Sequence, residues 1–194
     1  PTPSNDDGTI DSSIVDSVIN FIEKKLTPTL IVLKSTVTPD LVDFYCANPE
    51  VVYNPEFLTE RNAVADFKNA PFHILGCRST DNASFLEDVY RNAFDLNPDA
   101  QYVYTEPAEA SFIKYGINSF LSTKVAWFNQ LYDLVNAYDD ELDFDRITYA
   151  MGLDSRIGVT HMKVPGWDGN RGFGGACFPK DVPAFVNFSK NIGN

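Results

Sequence analysis

The sequence has few of the residues that build metal centres, disulfide frameworks or membrane spans. It contains three cysteines and two histidines in 194 residues, and no spacing among them matches a zinc site or a disulfide scaffold. No metal is therefore expected. So few cysteines suit a reducing compartment, which makes the cytoplasm the expected location. Long apolar runs are also missing. They reach about four residues, as at 30–33, where a membrane helix needs about 20. No signal peptide is expected from the first residues. Positive charge is scarce: 15 Lys and Arg face 27 Asp and Glu, for a net charge of −12. A chain this acidic repels nucleic acid and anionic lipid, so neither is an expected partner. A phosphate-bearing ligand would have to be held by local donors.

What is present is enough for a sizeable core: 44% of the residues are hydrophobic, ordinary for a globular protein. Strand-like runs at 29–36, 51–54, 72–77 and 101–106 alternate with segments whose apolar residues recur at three and four. That alternation predicts a parallel α/β sheet with crossover helices. Ligands in such sheets bind beyond the carboxyl ends of the strands. Those ends carry Lys34, Ser35 and Thr36, then Asn54, Pro55 and Glu56, then Thr105 and Glu106. From 108 to 138 runs one long helical pattern, followed by a shorter helix at 144–151, a glycine-rich loop and a last helical segment to about residue 191. A module boundary is expected near residue 106, giving domains 1–106 and 107–194.

Three groups of residues could carry chemistry. Lys114 and Asn118 stand four apart in an otherwise apolar helix, so they share a face. They are either solvated neighbours or a donor pair aimed at a developing oxyanion. Glu56 and Glu60 are also four apart. Asn54-Pro55 reads as a helix cap and first position, so the two acids either complement a helix dipole or hold a water and move a proton. Cys177 follows Gly172, Gly174 and Gly175 in "RGFGGACFPKD". It is either a small packing residue or a thiol at a helix start, where thiolate is favoured. Pro183 would delay that helix and weaken the second reading. Cys46 and Cys77 lie in helix-like and strand-like runs and read as packing residues. A Cys–His hydrolase would need His73 or His161 as base, and neither has an evident orienting partner. A nucleophilic cysteine could instead add to an aldehyde that a cofactor then oxidises.

Several segments together resemble one family. "RGFGGACFPKD", "LKSTV", "NPEFLTERNAVADF", "EASFIKYGINSFLSTKVAWFNQLYDL" and "GLDSRIG" are similar, in order, to signatures of the UDP-glucose/GDP-mannose dehydrogenases. The resemblance implies the second half of a Rossmann-like NAD domain followed by a long-helix α-helical dimerisation module. It implies a nucleotide-sugar substrate, with UDP-glucose the commonest, NAD as cofactor, a role in polysaccharide biosynthesis and a homodimer through the 108–138 helix. It also implies two oxidations at one site, through a thiohemiacetal and a thioester on Cys177. On the matching positions Lys114 would stabilise the oxyanion, Asn118 would sit beside it at the substrate, and Asp181 would position a water or base. Glu56 and Glu60 would serve proton transfer, substrate and cofactor. Thr36 would hold the water or touch the nicotinamide side, Thr2 would lie near the cofactor, and the Gly174 backbone would pass the sugar.

The G-x-G-x-x-G turn and the acidic ribose-binding residue about twenty positions on are not in this sequence. The chain begins without methionine and is expected to be the middle of a longer enzyme. The alternative is an assembly module of the same ancestry that has lost catalysis.

Overall fold

The computed structural model describes residues 2–193. The chain forms two compact units. One comprises the chain up to Gly116 together with the segment from Pro183 on, and the other is Ile117–Val182.

The first unit is built on a four-stranded sheet of order β1-β2-β3-β4. The strands are β1 (Ile31–Leu33), β2 (Val51–Tyr53), β3 (Phe72–Gly76) and β4 (Gln101–Thr105). Helices α1 (Ser13–Lys25), α2 (Pro39–Tyr45), α3 (Ala63–Lys68) and α4 (Thr80–Ala93) alternate with them. One apolar cluster joins Val15 and Ile19 of α1 and Val42 and Tyr45 of α2 to the sheet. A second joins Leu86 and Tyr90 of α4 to Val52 and Leu75. The sheet is thus covered by different helices through alternate side chains of its strands, as period-two geometry dictates.

The sheet is mostly parallel, with one reversal. β1 pairs with β2 in parallel, and so does β3 with β4. Between β2 and β3 the pairing is antiparallel and is carried by Tyr53 opposite Gly76. A parallel return needs a crossover element, usually a helix packed on the sheet. The connection here has only the six-residue α3 and a 3-10 turn at Glu60–Asn62, and α3 buries none of its residues. Thr105 and Glu106 therefore end a strand that runs against β1 and β2. Glu106 is paired there with Arg78, which also holds Asp43. The expectation that they share the strand-end cluster of 34–36 and 54–56 is corrected by this reversal.

Helix α5 (Pro107–Tyr138) leads from the first unit into the second, which also holds α6 (Phe144–Gly152) and the start of α7 (Phe178–Asn191). The second unit's core is Phe128, Phe144, Met162 and Val164, with Tyr132 edge-on to Phe144 at 5.0 Å. Asp143 caps α6 by accepting from the Arg146 backbone N–H, satisfying one of the helix's open donors. Among the described residues no helix is long and apolar enough to cross a membrane, and no cluster of three or more His, Cys, Asp or Glu could hold a metal ion.

Candidate active site

In the first unit the candidate residues gather where β1 and β2 end side by side. The Lys34 Nζ donates to Asn54 Oδ1 at 2.8 Å and stands 3.3 Å from the Glu56 carboxylate. Tyr90 donates to the same Asn54 oxygen at 2.7 Å, and Asn54 Nδ2 donates to the Ile74 carbonyl at 2.9 Å. Burial pulls the Lys34 ammonium below its usual pKa, and Glu56 partly offsets that. The same burial, with Glu56 nearby, pushes the Tyr90 phenol up to about 12. Lys34, a strand-end residue given no role from sequence, thus anchors the Glu56 carboxylate.

The network overturns one sequence expectation. Asn54-Pro55 starts no helix. Residues 54–59 are not helical, and the next turn opens at Glu60. The Asn54 side chain is held by Lys34, Tyr90 and Ile74, so it caps nothing, and Phe57 packs against Phe72 of β3 at 5.0 Å. Glu56 and Glu60 accordingly do not share a helical face. The Glu60 side chain itself lies outside what the structure describes.

Lys114 on α5 is buried to 6% exposure. Its ammonium donates to the Glu56 carbonyl and sits 5.1 Å over the Phe57 ring. A solvated surface lysine is thereby excluded, and Lys114 and Glu56 meet through the backbone of the 54–58 segment. Thr2 is buried and donates to the Thr36 carbonyl at 2.8 Å, which brings those two residues together. A cavity of about 350 Å³ opens beside this segment, lined by Lys34, Glu56, Phe57, Phe67 and His73 among others.

In the second unit Asn118 and Asp181 are both buried, Asp181 to 1% exposure. Asn118 Nδ2 donates to Asp181 Oδ2 at 2.6 Å, and the Lys180 ammonium pairs with the other carboxylate oxygen. Ser122 donates to the Asn118 carbonyl at 2.7 Å. The carboxylate is thus buried with partners on both oxygens, as a charge in an interior requires.

Cys177 immediately precedes α7. Its carbonyl accepts from the Asp181 backbone N–H at 2.8 Å, so the helix begins at once. Pro183 lies inside the helix and does not delay its start. Proline gives up the N–H that would bond one turn back and crowds that carbonyl, an effect within the helix and not at its start, so the expectation of a late start is corrected. The thiol is free and exposed, whereas Cys46 and Cys77 are buried. Burial pushes the Cys46 thiol up to about 12 and raises that of Cys77, and both are packing residues. Gly172 and Gly175 adopt φ of 80° and 77°, a region that side chains disfavour. A Cβ on Gly174 would stand 3.1 Å from the Asp168 carboxylate.

Sequence reasoning missed how this loop is fastened. Arg171 donates to the Asn129 side chain and carbonyl at 3.1 and 2.9 Å, pairs with Asp133 at 2.6 Å, and lies 5.2 Å over the Tyr132 ring. The Gly172 N–H donates to the same Asn129 Oδ1 at 3.0 Å. Lys124 fastens another turn by donating to the Ile157 and Gly158 carbonyls. The signal was a polar i, i+4 pair, Asn129 and Asp133, on the long helix.

Residues 1–94 match the UDP-glucose/GDP-mannose dehydrogenase family, NAD binding domain, and residues 108–194 match the central domain of the same family. The chain belongs to that family. It is 35% identical over 198 residues to a UDP-glucose 6-dehydrogenase of Rickettsia bellii, covering 98% of this chain and 44% of that protein. A UDP-glucose dehydrogenase from Pyrobaculum islandicum has a solved structure that superposes with a TM-score of 0.80 at 34% identity, over 99% of this chain and 45% of that one. The GDP-mannose dehydrogenase of Pseudomonas aeruginosa gives 0.68 at 26%, over 99% and 46%. The chain spans less than half the length of these relatives. Its dehydrogenase ancestry makes NAD the implied cofactor. Just past β1 stand the hydroxyls of Ser35 and Thr36, and buried Thr2 donates to the Thr36 carbonyl, but the glycine-rich phosphate turn is not in this sequence.

Proposed function

We propose that this chain carries the catalytic-cysteine segment and part of the cofactor domain of an NAD-dependent nucleotide-sugar 6-dehydrogenase, of the UDP-glucose to UDP-glucuronate type. The observation that carries the reading is the free, exposed Cys177 at the start of α7, four residues ahead of a buried Asp181 already bonded to Asn118. A packing cysteine would be covered, as Cys46 and Cys77 are.

In this reading Glu56 and Glu60 accept the proton released from the sugar C6 hydroxyl. NAD, when bound, takes up the two electrons of each oxidation as hydride. The Cys177 sulfur adds to the aldehyde carbon, giving a thiohemiacetal whose oxyanion Lys114 stabilises with its ammonium. Asn118 binds the substrate beside it. Removal of a second hydride leaves a thioester. Water oriented by Asp181 and Thr36 adds to it, the C–S bond breaks, and the thiolate and a carboxylate are the products. Thr2, Thr36 and Glu60 serve the cofactor, and the Gly174 backbone faces the sugar. Covalent capture explains how one site completes both oxidations without releasing an aldehyde.

The same reading makes domains 1–106 and 107–194 the cofactor and central portions, a homodimer the assembly, and a cytoplasmic pathway of polysaccharide precursors the setting. An alternative is a non-catalytic assembly module. It draws support from an apolar stripe on α5, where Phe120, Trp127 and Leu134 recur every seven residues at 67%, 56% and 67% exposure.

NADH formation with UDP-glucose and with GDP-mannose, beside Cys177→Ser, tests the choice. Supplying the flanking portions of a relative as separate chains covers the case of an incomplete cofactor site. Turnover that vanishes in Cys177→Ser supports the dehydrogenase. Turnover that survives it removes the covalent mechanism, and none under either condition favours the assembly module.

A further inference from the structure

We propose that Arg171 is a positioning residue for Cys177, acting through a clasp on helix α5 formed by Asn129, Tyr132 and Asp133. The inference rests on the reading of Cys177 as a nucleophile. Arg171 is the residue before the glycine segment 172–175, and its guanidinium uses three donors and one face. Nε and Nη2 donate to Asn129, Nη1 pairs with Asp133, and the plane lies over Tyr132. The next backbone N–H, of Gly172, donates to the same Asn129 oxygen. Two consecutive residues of the loop are therefore fixed to one turn of a rigid helix. Beyond them the chain passes through Gly174 and Gly175, the second in a left-handed conformation, before it reaches Cys177. Glycine carries the greatest backbone freedom, so without an upstream anchor this segment would not hold the thiol in one place. The anchor at its other end is α7 itself, through the Cys177 carbonyl.

Stability does not explain the clasp. Arg171 and Asp133 are 47% and 62% exposed, and exposed pairs contribute little to folding. The planar fork that reaches Asn129 and Asp133 together is also something lysine cannot reproduce.

The test uses the chain as it stands, with Arg171→Ala, Asn129→Ala and Asn129→Asp. Two rates are read: amide exchange over 172–177, and carbamidomethylation of Cys177 by iodoacetamide followed by peptide mass. In both alanine variants exchange should rise about tenfold or more, and alkylation should fall about threefold or more. Urea midpoints should not move. Cys177 is already exposed, so a looser loop adds no access, and slower alkylation reports lost positioning at the helix start. Asn129→Asp keeps the acceptor oxygen and should restore both rates. Unchanged exchange overturns the clasp. Faster exchange with unchanged or quicker alkylation overturns its action on Cys177. Wild-type Cys177 reacting no faster than glutathione at the same pH removes the nucleophile reading itself, and the positioning role with it.

Discussion

Asp181 is the residue whose surroundings most restrict what can replace it. Both carboxylate oxygens are engaged, by Asn118 and by Lys180, at 1% exposure. Asp181→Ala would leave a buried amide and a half-buried ammonium without their acceptor, which costs about 3 kcal/mol. Urea denaturation of the variant should show that loss, and Asp181→Asn should recover part of it. The histidines make a second prediction at this scale. Burial, together with Lys34 and Arg91, holds the His73 pKa below the ordinary 6.5, and burial with Lys124 does the same for His161. The folded protein then binds these protons less readily than the unfolded chain. Well above pH 6.5 both states are neutral and the histidines add no slope. Below it the unfolded state takes up protons first, so stability falls as pH falls. The urea midpoint should drop between pH 7.5 and 5.5, and a His73→Phe/His161→Phe protein should lose much of that slope. An unaltered slope would assign the pH dependence to carboxylates instead.

At the scale of elements, two glycines predict opposite outcomes for one substitution. A Cβ on Gly76 would meet the Ala110 Cβ at 2.7 Å, where β3 passes under the start of α5. Gly76→Ala should destabilise by about 2 kcal/mol, as overpacking does. Gly116 lies within α5 with nothing within 4 Å of an added Cβ. Gly116→Ala should stabilise by about 1 kcal/mol through helix propensity. Thermal melts of the two variants should move in opposite directions. The positions of the strands and of the long helix were legible in the sequence because apolar periodicity is a local signal. The helix start beside Cys177 was legible because glycines precede it and Pro179 follows. Strand direction was not, since nothing local states whether β3 returns by a packed crossover. Nor was Asn54: its side chain reads as a helix cap in isolation, and only Lys34 and Tyr90, from distant parts of the chain, claim it. Arg171 was passed over because its partners stand about forty residues away.

The whole molecule carries a net charge of −12, which keeps copies apart unless an apolar surface brings them together. The stripe of Phe120, Trp127 and Leu134 is exposed and apolar, and is the surface proposed for that contact. The chain should sediment as a dimer at micromolar concentration, and Phe120→Glu/Trp127→Glu should sediment as a monomer. A wild-type monomer would remove the proposed assembly. The reversal within the sheet bears on how the first unit comes to be folded. Its strands form two parallel ribbons, closed by pairings such as Ile31 with Val51 and Phe72 with Gln101, and joined by the one bridge between Tyr53 and Gly76. The apolar clusters cross from one ribbon to the other: Val52 of β2 packs with Leu75 of β3 and with α4, and Ile74 of β3 packs with α1 and α2. The strand-end cluster around Asn54 bonds across the seam to Ile74, so its geometry is complete only where both ribbons are in register.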